Sequence, residues 1–402
     1  RLSWELTVLL IPYWKKVFPM IKPTVQDIFD RFFPAFLEQY SPSAIQLKTA
    51  HNIINCKTGA YGSNISICED CGQIHIHHNS CRNRCCPMCQ AIPKEIWMDS
   101  RREDVLDAPY FHLVFTVPDI LNPIILSNQA LLYDALYHAA SATINDLTAD
   151  SKYLGAKVGY ICILHTWGSE MNFHPHIHTI LLGGGLTMKN EWKDKGNDFF
   201  LPIQVVSKVF RGKYLEELKQ LWKDEKLRFY GHSQKYRNHY AFQELLDTCY
   251  ATEWVPYCKK TFNGAQSVID YLGKYTHRIA ISNHRIIRMD EKTVTFFVKD
   301  YHNKGHWKEF TLSGVEFIRR FLMHVPPKRY VRIRHYGLLC SRTKNKKLTL
   351  CRNLLGCQKY LSKLREMEMP EILDQLYGIK IYVCKSCGGH LSKPQKHLPL
   401  RC

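Results

Sequence analysis

The chain has 402 residues, 45% apolar and 12% aromatic, and its 55 Lys and Arg outnumber its 36 Asp and Glu for a formal net charge of +19. That apolar content excludes wholesale disorder and is enough for two or three packed domains, while the charge favours a polyanionic partner. No run of about 20 apolar residues occurs, which excludes a transmembrane helix and leaves no membrane partner to expect.

The sixteen cysteines sit largely in CxxC pairs, a usage that fits metal binding in a reducing compartment better than a secreted disulfide scaffold. A cytoplasmic, nucleoid-associated protein is therefore expected. Leu2 to Ile11 lacks the basic start and small-residue cleavage site of a signal peptide. The start at Arg1 rather than Met leads us to expect a few natural residues before it.

In chain order, residues 1–62 read as a helical segment. Ile28, Phe32, Phe33, Phe36 and Leu37 recur at helical spacing, and a second helical stretch follows the Ser41-Pro42-Ser43 turn. Residues 63–105 read as a zinc-binding domain, in which residues 68–90 are polar and cysteine-rich with little to bury, so a metal must supply the folding free energy there. Residues 106–315 form the main domain. It opens with a strand, Tyr110 to Val117, that stops at Pro118, followed by a helix through Ala130, Leu131, Ala135, Leu136 and Ala139. Strands Val158 to His165 and Pro175 to Leu182 come next. A helical insertion at about 204–262, a helix over 264–278, and a hairpin over 293–312 turning at Asn303-Lys304-Gly305 complete the domain. The element order predicts an α+β fold. Residues 316–402 are a basic C-terminal region.

Cys68-x2-Cys71 and Cys86-Pro87-Met88-Cys89 are two CxxC knuckles, whose four thiolates are expected to share one tetrahedral Zn²⁺. Cys81, Cys85 and His77, from the His75-His77-His78 group, are candidates for a second zinc. Such closed sites are structural or DNA-binding, and Arg82 and Arg84 lie between the knuckles. At the far end Cys384-x2-Cys387, with Cys402 and either His390 or His397, is a candidate third zinc knuckle.

Phe173-His174-Pro175-His176-Ile177-His178 ends in His-x-His. On a strand, i and i+2 share a face, so His176 and His178 present two imidazoles to one divalent ion while Ile177 packs behind. A third ligand is needed. His165, across a hairpin from His176, is preferred over Glu170 and Gln266. The glycines Gly183-Gly184-Gly185 are expected to keep the strand end open to an approaching backbone.

Tyr271-Leu272-Gly273-Lys274-Tyr275-Thr276-His277-Arg278 places two tyrosines one helical turn apart, with Lys274 and Arg278 adding charge that favours phenolate. Beyond it, Arg319, Arg320, Lys328, Arg329, Arg332, Arg334 and Tyr336 mix cations with aromatics, a pattern suited to single-stranded nucleic acid.

Together these blocks resemble a known family. His176-Ile177-His178 followed by Tyr271-x2-Lys274-Tyr275, with Phe115-Thr116-Val117-Pro118 upstream, is similar to the motifs of two-tyrosine HUH endonucleases. The fuller wording Ser80-Cys81-Arg82-Asn83-Arg84-x-Cys86-Pro87-x-Cys89-Gln90, His174 to His178 with Gly183 to Gly185, and Tyr271 to Asn283 resembles the rolling-circle insertion-sequence transposases that carry an N-terminal zinc-binding domain. The likeness spans roughly residues 25–340, in the family's order. Cys85 stands where relatives carry His, and Ser169 where they carry Gln.

The resemblance implies an HUH nuclease domain with a central antiparallel sheet flanked by helices, and a transposase that nicks and rejoins single-stranded DNA through a 5′-phosphotyrosine. Tyr271 and Tyr275 are the implied nucleophiles, with Lys274 assisting and Mg²⁺ or Mn²⁺ at the histidines. Single-stranded DNA of transposon ends and target, with hairpins, is the implied partner. No GxxxxGK[ST] motor motif is present, so a host helicase is expected to unwind the duplex. Competing readings are a plasmid or phage replication initiator, with the same chemistry at an origin, and a zinc-dependent DNA-binding regulator without catalysis.

Overall fold

The computed structural model describes residues 22–196, 201–254, 256–260, Gly273, 279–300 and 305–399. The chain enters through α1 (Val25–Gln39), where Thr24 and Asp27 form a capping box that satisfies the first backbone N–H groups. The buried face of α1 carries Val25, Ile28, Phe29, Phe32, Phe33 and Phe36. After α2 (Ala44–Ile54), a hairpin of β1 (Ser63–Ile67) and β2 (Ile74–His78) carries the first cysteines, and α3 (Ala91–Arg102) leads into the main domain.

That domain is built on β3 (Tyr110–Thr116), β4 (Lys157–Trp167) and β5 (Phe173–Leu186). With β7 (Tyr257–Lys260) and β11 (Ile333–Gly337) they form an antiparallel sheet in the order β11-β4-β5-β3-β7, and β6 (Trp192–Asp194) pairs with β5. The fold is thus α+β, an antiparallel sheet flanked by helices.

Strand alternation sorts the side chains. Phe115, Tyr160, Leu164, Ile177 and Leu181 join a core with α4 (Gln129–Ala149), α5 (Ile203–Lys223) and α6 (His239–Ala251). Tyr110, Ile161, Ile163, Ile180 and Leu182 pack on the opposite face with Met98 of α3 and with Leu348 and Cys351 of the helix Lys344–Leu355. A second antiparallel sheet, of β8 (Ile286–Met289), β9 (Thr293–Asp300) and β10 (His306–Ser313), shares a separate core with α1 and the helix Gly314–Met323. A third sheet has the order β12-β1-β2, in which β12 (Gln395–His397) from the far end of the chain pairs with β1. Among the described residues no helix is long and apolar enough to cross a membrane.

The three glycines do not leave the end of β5 open. A Cβ at Gly183 would strike Phe111 and Pro109, at Gly184 Trp192, and at Gly185 the backbone of Lys157. The approaching backbone is the protein's own: absent side chains let β4 and β6 close against β5.

Candidate functional site

His176 and His178 lie on β5 with their side chains on one face, and the register sets His165 of β4 opposite His176. Their ligand nitrogens, together with that of His165, lie within 4.8 Å of one another. The Nε2 atoms of His176 and His178 are 3.0 Å apart, about the spacing of adjacent ligands on an ion with bonds of about 2.1 Å. His176 Nδ1 donates to the carbonyl of His174 at 2.6 Å, which turns Nε2 toward the cluster. His178 Nδ1 lies 2.9 Å from Nε2 of His112, the residue on β3 that shares this face. All three cluster residues are buried. Burial holds the imidazole of His176 down to about 3, and that of His178 well below its ordinary value. They are therefore neutral, the form that ligates metal. Glu170 is not in the group, and Gln266 lies outside the described residues. His112 was missed by sequence reading, although its place two residues before Val114 on a strand facing β5 marks it as a neighbour of His178.

Of the tyrosine block, Tyr271, Lys274, Tyr275 and Arg278 lie outside the described residues; Gly273 is described, buried in a helix. A Cβ there would run into the side chain of Met98 of α3, so the backbone at Gly273 lies close against α3.

The cysteines divide differently from the expected pairing. Cys86 and Cys89 gather with Cys81 and with Cys56, just after α2, whereas Cys68 and Cys71 gather with Cys384 and Cys387. The β1–β2 hairpin carries the first knuckle away from the second. The second folds back against the end of α2. Cys81 Sγ is 3.8 Å from Cys89 Sγ, close to the edge of about 3.8 Å of a four-thiolate zinc tetrahedron with bonds of about 2.3 Å. Cys85 is not in either group. Burial pushes its thiol up to about 11, so it stays protonated. His77 is exposed on β2 and outside both groups. His390 faces Glu69 at 3.1 Å, His397 is exposed on β12, and Cys402 lies outside the described residues.

A cavity of about 390 Å³ opens between α2, the 81–85 loop and the 325–329 segment, and brings Arg82, Arg84 and Arg329 together with Lys48. Lys328 is exposed beside it. Arg84 also donates to the carbonyls of Pro327 and Tyr330. The remaining basic candidates are engaged internally. Arg319 and Arg320 pair with Glu316, Arg334 pairs with Asp134 and lies 4.1 Å over the Tyr137 ring, and Tyr336 stacks on Tyr160. The carbonyl of Arg332 accepts from Tyr137, and its side chain is desolvated. Ser169 anchors β9, its Oγ accepting from the backbone of Lys299 at 2.6 Å.

Comparison with known proteins identifies this chain, with its histidine-bearing antiparallel sheet and two thiolate clusters, as a DNA transposase with a zinc-binding domain. Residues 28–117 match the family model described as "Transposase zinc-binding domain", and residues 159–347 the one described as "Putative transposase". The chain is 38% identical over 371 residues to "Putative transposase y4qJ" of Sinorhizobium fredii, covering 91% of this chain and 93% of that protein. It is 27% identical over 380 residues to the "Transposase for insertion sequence element IS801" of Pseudomonas savastanoi pv. phaseolicola, covering 88% of this chain and 85% of the relative. No solved structure matches. The chain belongs to the IS91 family of rolling-circle insertion-sequence transposases with an N-terminal zinc-binding domain. Its substrate is DNA, and the Cys56, Cys81, Cys86 and Cys89 group within the zinc-binding domain is the chemistry of structural Zn²⁺.

Proposed function

We propose that the chain nicks and rejoins single-stranded DNA by a rolling-circle mechanism. Tyr271 and Tyr275 are the nucleophiles, and His165, His176 and His178 are the ligands of one Mg²⁺ or Mn²⁺. The observation that carries this reading is the convergence of three buried imidazoles on one sheet face of a transposase. A divalent ion bound there supplies positive charge to a non-bridging phosphate oxygen. The hard Mg²⁺ prefers oxygen donors, so this nitrogen set favours Mn²⁺.

The chain's own residues do the rest. The His174 carbonyl fixes the tautomer and aim of His176, and His112 does the same for His178 by accepting from its Nδ1–H. A tyrosine oxygen bonds to phosphorus as the bond from phosphorus to the 3′ oxygen breaks. The phenol loses its proton and the 3′ oxygen gains one. The ester's energy is kept in the 5′-phosphotyrosine, so rejoining needs no ATP. Lys274, between the tyrosines in sequence, offsets the developing charge. With two tyrosines, one holds the first DNA end while the other cleaves the second. Arg82, Arg84 and Arg329 around their shared cavity, with Lys328, meet phosphates of the strand. A host helicase supplies the single strand.

The test is incubation with Mn²⁺ and labelled single strands carrying candidate element ends. A denaturation-resistant protein–DNA adduct, lost in His176→Ala and in the Tyr271→Phe/Tyr275→Phe double variant, is expected. Tight binding to the correct end without any adduct would overturn the reading in favour of a non-catalytic regulator.

A further inference from the structure

We propose that Cys68, Cys71, Cys384 and Cys387 hold a second structural Zn²⁺ shared between the two ends of the chain, a metal clasp that closes the C-terminal segment onto the β1–β2 hairpin. The four Sγ atoms lie within 4.8 Å of one another. Cys68 to Cys387 is 3.5 Å and Cys71 to Cys384 is 3.8 Å, the first slightly under and the second at the edge of about 3.8 Å of a four-thiolate zinc tetrahedron. They are far beyond the S–S bond of about 2.05 Å, and all four are free cysteines. The backbone N–H of Ser386 points at Cys384 Sγ and that of Gly389 at Cys387 Sγ, each at 3.4 Å. Such N–H donation stabilises thiolate charge, and one backbone N–H does the same for Cys81 in the other group, again at 3.4 Å.

The surrounding chain has little else to hold it closed. The buried cluster here consists of Cys68, Cys384 and Leu391. The remaining ties among the described residues include three residues of β12 on β1, a bridge from Cys68 to Leu391, two hydrogen bonds of 2.9 Å between Ser392 and Ile67, a backbone bond of 2.9 Å and an exposed ion pair of 3.1 Å between Glu69 and His390, and Ser386 Oγ with Gln73 at 3.4 Å. Three buried side chains and a three-residue strand do not by themselves offset the entropy of ordering the 384–399 segment on the hairpin. A metal bond set does. The matched zinc-binding domain ends at residue 117 and the matched transposase region at 347, so half of this ligand set lies outside both. His75, with Nε2 3.2 Å from Cys384 Sγ, borders the site and is placed to donate to the thiolate.

The test uses the whole zinc-replete protein. Cys71 and Cys387 are exposed, yet if they are ligands, iodoacetamide should leave them unmodified along with Cys68 and Cys384. Graded chelation should release one zinc and render all four reactive in a single step, read by peptide mass spectrometry, and backbone exchange should rise together in 63–78 and 384–399. A Cys384→Ser/Cys387→Ser variant should carry one zinc fewer and lose the same protection, with the Cys56 group unmodified. Ready alkylation of Cys71 and Cys387 in protein that retains all its zinc would overturn the clasp. So would release of the 384–399 segment with no change in the 63–78 hairpin.

Discussion

The histidine cluster and the thiolate clusters differ in what holds them. His165, His176 and His178 sit on two long central strands, with an apolar core on one face of the sheet and a second on the other. Their positions are fixed by burial and strand register before any ion arrives. The thiolates stand on turns and loops: Cys56 and Cys86 are buried in the core of α1 and the second sheet, whereas around Cys68 and Cys384 the buried cluster shrinks to those two residues and Leu391. There the metal is part of the folding free energy. On the proposed reading, the same chain pairs a preorganised site whose ion would serve chemistry with metal sites whose ion would serve structure.

The comparison breaks most visibly under metal removal. Stripping zinc with a strong chelator should unfold the β12-β1-β2 sheet by hydrogen exchange and leave the amides of β4 and β5 protected. Loss of protection throughout β4 and β5 would mean the domains are not separately held. Conversely, His176→Ala with His178→Ala should abolish Mn²⁺ binding and cut nicking by about 1000-fold, several kcal/mol of lost charge stabilisation, while the zinc content is unchanged.

A smaller effect sharpens the role of the second layer. His112→Ala should weaken Mn²⁺ binding by about 10–100-fold without removing a ligand, measured by titration calorimetry; unchanged affinity would make His112 a packing residue. Smaller again is Gly185→Ala, which should destabilise the sheet by about 1–3 kcal/mol because the new methyl meets the Lys157 backbone. Its zinc content should stay constant, and an unchanged melting curve would show that β4 can yield.

The smallest is a pH slope. His324 is buried, lies with Nδ1 3.1 Å from Thr166 Oγ1 and Nε2 3.1 Å from the Met171 carbonyl, and burial holds it down to about 4. The unfolded chain takes up this proton below about 6.5, so the stability contribution is full above that pH and is lost as pH falls toward 4. His324→Gln should flatten the slope of unfolding free energy between those values; an unaltered slope would assign the proton uptake elsewhere.

Much of the histidine site was legible because strand periodicity is local. The i, i+2 rule sets His176 and His178 on one face, and a short connection between two β-rich runs is enough to suggest His165 opposite. His112 escaped because nothing in the sequence says which strand flanks β5 on its other side. The thiolates were legible as zinc chemistry but not as partners: a CxxC marks half a site, and Cys56 follows a helix while Cys384 and Cys387 come from the far end of the chain. Likewise the run from Lys328 to Tyr336 reads as a basic, aromatic surface, whereas β11 within it is an edge of the central sheet, its Arg334 paired with Asp134 and its Tyr336 stacked on Tyr160. Charge is visible in a sequence; the counterion from another element is not.

The most direct measurement is pulsed EPR of Mn²⁺ bound to the zinc-loaded protein. Nitrogen couplings from the three imidazoles, reduced in each of His165→Ala, His176→Ala and His178→Ala and retained in Cys384→Ser/Cys387→Ser, are the predicted result. Mn²⁺ bound without nitrogen coupling, or coupling indifferent to the three histidines, would contradict the account.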